Sequence, residues 1–241
     1  MKTALIIGAS GTIGYGVACA LMEHGYQVAC HCSREESCRE LQKKLSPLPY
    51  SYALLRHDCT KAEEVEALFK ETRERLGSPE AVVNCMGTAL PQMLLTDVTE
   101  EQMEHVWNVN VKSALLISKA ASNALRVHDG GSLIHISSMW GQIGASCEVV
   151  YSASKGAVNA MVKALAKELA PCRIRVNAVA PGLVLSPMNA ALSREDLEAF
   201  RMDTPLESYV APEDVARAVL YLLESPMVTG QILSVDGGIV I

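Results

Sequence analysis

Short apolar runs alternate with amphipathic stretches along this chain. Residues 3–7, Thr-Ala-Leu-Ile-Ile, form an apolar run of strand formers that breaks into Gly8-Ala9-Ser10-Gly11-Thr12-Ile13-Gly14, and a helical pattern then continues to Met22. Further strands are expected at residues 27–32, 51–55, 81–84, 133–136, 175–179 and 232–235. Helical periodicity marks residues 63–76, a long stretch at 100–126, and residues 151–169, which Pro171 closes. Such alternation predicts a doubly wound α/β fold, with a parallel sheet of about seven strands flanked by helices.

Ligands of such sheets bind beyond the carboxyl ends of the strands, and the chemistry-bearing residues cluster there. Gly8 to Gly14 follow the first expected strand, Asn84-Cys85-Met86-Gly87 the fourth, Ser138 the fifth, and Pro181-Gly182 the sixth. Glycines permit a tight turn and let backbone amides approach a pyrophosphate at a helix N-terminus, where the dipole favours an anion. Dinucleotide binding is the chemistry implied. Tyr151 and Lys155 share one helical face at i, i+4 spacing, with Ser138 thirteen positions upstream of Tyr151. A free tyrosine has a pKa of about 10, so a cation beside it would make it a usable proton donor near neutrality.

Composition narrows the classes. With 241 residues and 49% hydrophobic content, the chain can bury a substantial core as one domain, residues 1–241, with no linker-like stretch. Met1-Lys2 leads straight into the first strand without a signal-peptide pattern, and no apolar run approaches membrane-spanning length, so a cytoplasmic location is expected. The eight cysteines include no Cys-x-x-Cys pair and read as reduced thiols, not as a metal site or a disulfide framework. A net charge of −6 without a basic stripe argues against nucleic-acid binding.

These ordered motifs resemble those of a single-domain short-chain dehydrogenase/reductase. Besides the segments above they include Asp58, Asn108-Val109-Asn110, Ser137-Ser138, Val176-Asn177-Ala178-Val179-Ala180-Pro181-Gly182 and Asp236-Gly237-Gly238. Within that family the look is nearest to 3-oxoacyl-[acyl-carrier-protein] reductases. The resemblance implies that Tyr151 protonates a carbonyl oxygen, that Lys155 lowers its pKa and holds the nicotinamide ribose, and that Ser138 hydrogen-bonds the same oxygen. Asn110 would support a proton path to the lysine. Gly8, Ser10, Gly11, Thr12, Ile13, Gly14, Asn84, Gly87, Pro181, Gly182 and Val184 would line the cofactor, with Asp58 near the adenine and Cys59 offering a backbone contact. Two departures stand out: Thr12 replaces a usual glycine, giving a spacing more common in the epimerase branch, and Met86 replaces a usual alanine.

The end of the second strand bears on the cofactor. NAD users commonly place an acid there for the ribose diol, but Cys32 occupies that position, followed by Ser33 and Arg34. Arg34 with Ser33 suits a 2′-phosphate, which favours NADP(H), unless Glu35 and Glu36 neutralise the guanidinium. Residues 183–209, with Met188, Leu192, Leu197, Phe200 and Met202, read as a substrate lid. Arg126, His128, Arg173 and Arg175 are the basic candidates for meeting an acidic carrier, although Asp129 and Cys172 stand where arginine is expected. The reading is thus NADPH-dependent reduction of a 3-oxoacyl thioester, with another ketone, an epimerase activity or a non-catalytic NADP-binding role as alternatives. Family resemblance implies a homotetramer.

Overall fold

The structure is a computed structural model that describes residues 2–241. Seven parallel strands form one sheet: β1 (Thr3–Ile7), β2 (Gln27–Cys32), β3 (Tyr52–Arg56), β4 (Ala81–Asn84), β5 (Gly131–Ile136), β6 (Ile174–Pro181) and β7 (Ile232–Val235). Their order is β3-β2-β1-β4-β5-β6-β7, so the chain reverses its direction of travel between β1 and β4, the switch point at which such sheets bind ligands. This is the expected doubly wound α/β fold, with strand boundaries displaced by one or two residues.

Both faces are covered, and for that reason β1 is buried at every position, with apolar residues from Ala4 to Ile7 instead of an alternating pattern. Ala4 and Ile6 pack on one side with α1 (Thr12–Glu23), α2 (Glu35–Leu45) and α9 (Pro212–Glu224). Leu5 and Ile7 pack on the other with α3 (Ala62–Leu76), α5 (Ser113–Leu125) and α7 (Val149–Leu169). Asn177 fastens the sheet edge: its amide donates to the Val228 carbonyl at 2.9 Å and its side-chain oxygen accepts from the Gln231 N–H at 3.0 Å. No helix of the described residues is long and apolar enough to cross a membrane.

The long helix expected at residues 100–126 is divided. α4 (Glu100–Trp107) and α5 flank a widened π turn, Asn108–Lys112, that carries Asn110 inward. The apolar period runs on through this segment, so the sequence pattern does not mark the break, whereas the inward polar side chain accounts for it. The remaining short helices, α6 (Trp140–Ile143) and α8 (Arg194–Asp203), border the crevice above the strands. Replacing Leu5, wholly buried at the centre of the sheet, by alanine is expected to lower the unfolding free energy by about 2–5 kcal/mol, measured by urea titration.

Candidate active site

The glycine turn and the turn after β4 meet at the switch point, where the Cys85 N–H donates to the Ile7 carbonyl at 2.8 Å. A Cβ on Gly14 would lie 2.2 Å from the Gly8 carbonyl oxygen, so only glycine lets α1 pack this closely on the turn that precedes it. No side chain caps α1 at Gly11 and no acid stands in its first turn, leaving the amides and the positive end of the dipole open toward the crevice. That donor set fits a pyrophosphate. Gly11, Thr12, Ile13, Gly14, Gly87, Pro181, Gly182 and Val184 all line one cavity of about 260 Å³, together with Ser138, Tyr151 and Lys155.

One strand end and one helix bring the candidate catalytic side chains together. Ser138 follows β5, is 7% exposed, and accepts the Trp140 N–H at 3.2 Å. α7 begins two residues earlier than expected and presents Tyr151 and Lys155 on one face. Lys155 is 4% exposed, donates from Nζ to the Ile136 carbonyl at 2.9 Å, and lies 5.7 Å from the centre of the Tyr151 ring. Burial pulls the ammonium down to about 8. The expected lowering of Tyr151 by Lys155 is not what the structure gives. Burial pushes the phenol up to about 12, the facing Ser138 hydroxyl opposes the rise, and the Glu148 charge adds to it. The lysine is spent on a backbone carbonyl and does not offset the loss of water around the phenol.

Asn110 does not reach the lysine through its side chain. Its oxygen accepts the Thr88 N–H at 2.8 Å, and its amide donates to the Thr88 carbonyl and the Ser154 hydroxyl, each at 2.9 Å, so it pins the loop after β4 to α7. Gly87 lies between the two groups: a Cβ there would approach Lys155 Nζ to 3.1 Å and Asn110 Oδ1 to 3.6 Å. Asn84 is likewise internally satisfied, with its amide 3.2 Å from His135 Nδ1 and its oxygen accepting the Met86 N–H at 3.1 Å, which shapes the turn that holds Gly87. Asp58 accepts from the N–H and hydroxyl of Thr60, and Cys59 is buried with its sulfur 3.6 Å from His31 Nε2. Ser33 and Arg34 are exposed at the mouth between β2 and α2. Glu35 is 3.3 Å from Arg39 and 3.5 Å from Arg56, and Arg34 makes no ion pair among the described residues, so the neighbouring acid does not neutralise it. Burial raises the Cys32 thiol, which sits against Cys38 and Ser10.

The basic residues considered for a carrier protein lie elsewhere. Arg126 and His128 precede β5, and Arg173 and Arg175 stand at the start of β6, at the opposite ends of the strands from Ser138 and Pro181. Arg173 pairs with Asp129 at 2.6 Å, and Arg175 donates to the Leu222 and Leu223 carbonyls.

Four contributors carry no motif. His31 is fully buried, donates from Nε2 to the His57 carbonyl at 2.9 Å, and accepts the Gly8 N–H at Nδ1 at 3.3 Å, fastening the glycine turn to β2. Trp140 of α6 meets Phe200 of α8 edge-on, with ring centres 6.2 Å apart and planes at 87°, tying the expected lid to the floor of the crevice. Glu148 and Gln92 line the substrate side. Only the three-residue spacing of Glu148 from Tyr151 could have drawn notice in the sequence.

Comparison with known proteins places this geometry in a class. Residues 8–240 match the family profile described as Enoyl-(Acyl carrier protein) reductase, and the chain is accordingly a short-chain oxidoreductase of the kind that uses an NAD(P)(H) nucleotide. It belongs to the short-chain dehydrogenase/reductase family. It is 34% identical to the human 3-oxoacyl-[acyl-carrier-protein] reductase over 99% of this chain and 98% of that one. An uncharacterised oxidoreductase of Bacillus subtilis, YmfI, is 35% identical, with 98% of each chain covered. Carbonyl reductase family member 4 of Danio rerio is 36% identical over 99% of this chain and 98% of its own. A short-chain type dehydrogenase/reductase from Mycobacterium ulcerans superimposes with a TM-score of 0.93 at 28% identity, covering 98% of this chain and 89% of its own.

Two buried histidines make stability sensitive to acid. Burial lowers His31 from 6.5 to about 4 and His135 from 6.5 to about 3. Below about pH 6.5 the unfolded chain therefore binds protons that the fold refuses, and stability falls as pH drops toward 4. The expected loss is on the order of 2 kcal/mol per ring by about pH 5, read from urea midpoints across that range, and His31→Gln should flatten part of the slope.

Proposed function

We propose that this protein is an NADPH-dependent carbonyl reductase whose substrate is a 3-oxoacyl thioester. The observation that carries the reading is the convergence of Ser138, Tyr151 and Lys155 on one partly apolar crevice beside an uncapped helix N-terminus. The dinucleotide supplies hydride when bound. Ser138 donates a hydrogen bond to the carbonyl oxygen, and Tyr151 gives that oxygen its proton as negative charge develops there. A phenol pushed up to about 12 is still far more acidic than an alcohol, so its proton passes downhill to an alkoxide. Lys155 keeps its buried ammonium on the Ile136 carbonyl, 5.7 Å from the centre of the Tyr151 ring, and is the residue that would hold the nicotinamide ribose. Leu90, Pro91, Trp140, Leu192 and Phe200 supply an apolar wall for an acyl chain.

The phosphate preference rests on Arg34 and Ser33 at the end of β2, where no carboxylate stands and Glu35 is held by other arginines. An exposed guanidinium without a partner suits a 2′-phosphate. The named relatives at about 34% identity support the thioester, and the absence of an arginine at Asp129 and Cys172 makes the coenzyme A ester as apt a carrier as a protein. A homotetramer belongs to the same reading, since Trp107 and Leu115 on the α4/α5 side leave apolar surface exposed for a second copy.

Acetoacetyl-CoA with NADPH, followed by loss of reduced nicotinamide absorbance, is the direct assay. Turnover is expected, with Tyr151→Phe and Ser138→Ala each lowering kcat by about a hundredfold or more; a Tyr151→Phe variant with full turnover would remove the assigned proton donor. Arg34→Ala should raise the KM for NADPH about tenfold and disturb that for NADH much less, and equal effects on both cofactors would contradict the phosphate assignment.

A further inference from the structure

One wall of the crevice carries a charge that proton transfer leaves unused. Glu148 precedes the first turn of α7, half-buried, three residues before Tyr151, and lines the cavity beside Gln92. Two loops fix it there. The Met93 N–H donates to the Cys147 carbonyl at 3.1 Å, which sets Gln92 and Glu148 on either side of a shared backbone bond, and Cys147 turns through a left-handed conformation at φ 61°. From α7, the Ser152 N–H donates to the Glu148 carbonyl at 2.8 Å, and the Ser152 hydroxyl accepts the Ala145 N–H at 3.2 Å. The Gln92 amide is set against the Glu148 carboxylate, which burial raises.

The surroundings decide what this carboxylate can do. The cavity it lines also carries the apolar side chains named above with Ser186 and Asn189, and no arginine or histidine lines it among the described residues. The one ammonium, Lys155, is directed to the Ile136 carbonyl on the cofactor side. An anionic group carried next to a carbonyl at Tyr151 therefore meets a like charge across partly desolvated space, with no cation on its own side to compensate. Esters, amides and thioesters bring no such charge, and an amide N–H can donate to the carboxylate.

We propose that Glu148, steadied by Gln92, is a specificity-determining residue that admits carbonyl substrates neutral around the reacting carbon and rejects ketones bearing a carboxylate or phosphate beside it. The inference rests on the carbonyl-reductase reading of the crevice but not on the thioester. Specificity of this kind is a difference of affinities achieved through repulsion.

Matched substrate pairs test it: acetoacetate against its methyl ester, pyruvate against methyl pyruvate, and levulinate against methyl levulinate. Each is assayed with NADPH on the wild type, Glu148→Gln and Glu148→Lys. The quantity read is the ratio of kcat/KM within a pair on one protein, which cancels any loss of folded enzyme. Wild type should favour the neutral member by about tenfold or more, Glu148→Gln should shrink that ratio about tenfold, and Glu148→Lys should turn it toward the anion. No neutral preference in any pair, or a preference that Glu148→Gln leaves intact, overturns the proposal. Charge discrimination without turnover of acetoacetyl-CoA removes the thioester reading and keeps the filter, whereas thioester turnover without discrimination does the reverse.

Discussion

The burial of Lys155 is the constraint around which the site is arranged. An ammonium that is 4% exposed needs a fixed acceptor, and it has one in the Ile136 carbonyl at the end of β5. Reaching that acceptor requires α7 to lie close against the segment after β5. The Ser137 hydroxyl donates to Asn159 Oδ1 at 2.6 Å, and the Asn159 amide donates to the Gly141 carbonyl at 2.9 Å, locking helix to loop one turn beyond the lysine. Asn110 draws the Thr88 loop onto the same helix through Ser154. Residues far apart in the chain thus act as one support for a single charged group.

The architecture was readable from the sequence because both hydrophobic faces of a parallel sheet leave short, continuous apolar runs, as in β1 and β4. Interruption of the helix at Asn108 was not readable, since a π turn adds a residue without disturbing the apolar content on either side. Nor did α2 or α9 stand out. α2 is polar over most of its surface and buries only Leu41 and Leu45, while α9 follows the irregular lid segment directly.

Within the site, legibility followed motif density. Ser138, Tyr151 and Lys155 are linked by spacing and by chemistry, so their convergence could be anticipated, as could the glycine turn. His31 and Glu148 act through position alone. His31 is a histidine in a strand that is otherwise apolar from Val28 to Cys32, and only the fold reveals that its ring reaches Gly8. The basic residues near Asp129 show the converse: proximity to motifs in sequence put them beside the site, while the parallel strands carry them to the far end of the sheet.

Gly141 carries a liability out of proportion to its size. A Cβ at that position would stand 2.7 Å from the carbonyl carbon of Lys155 and 2.8 Å from its Cβ, distances at which α6 or α7 must yield. The smallest possible enlargement of the chain, a single methyl group on a residue that contacts no reactant, is therefore transmitted straight to the backbone that aims the ammonium. Genetic variation that looks innocuous in a short helix bears here on the aim of the lysine, and a search for inactivating changes confined to reacting groups would overlook it.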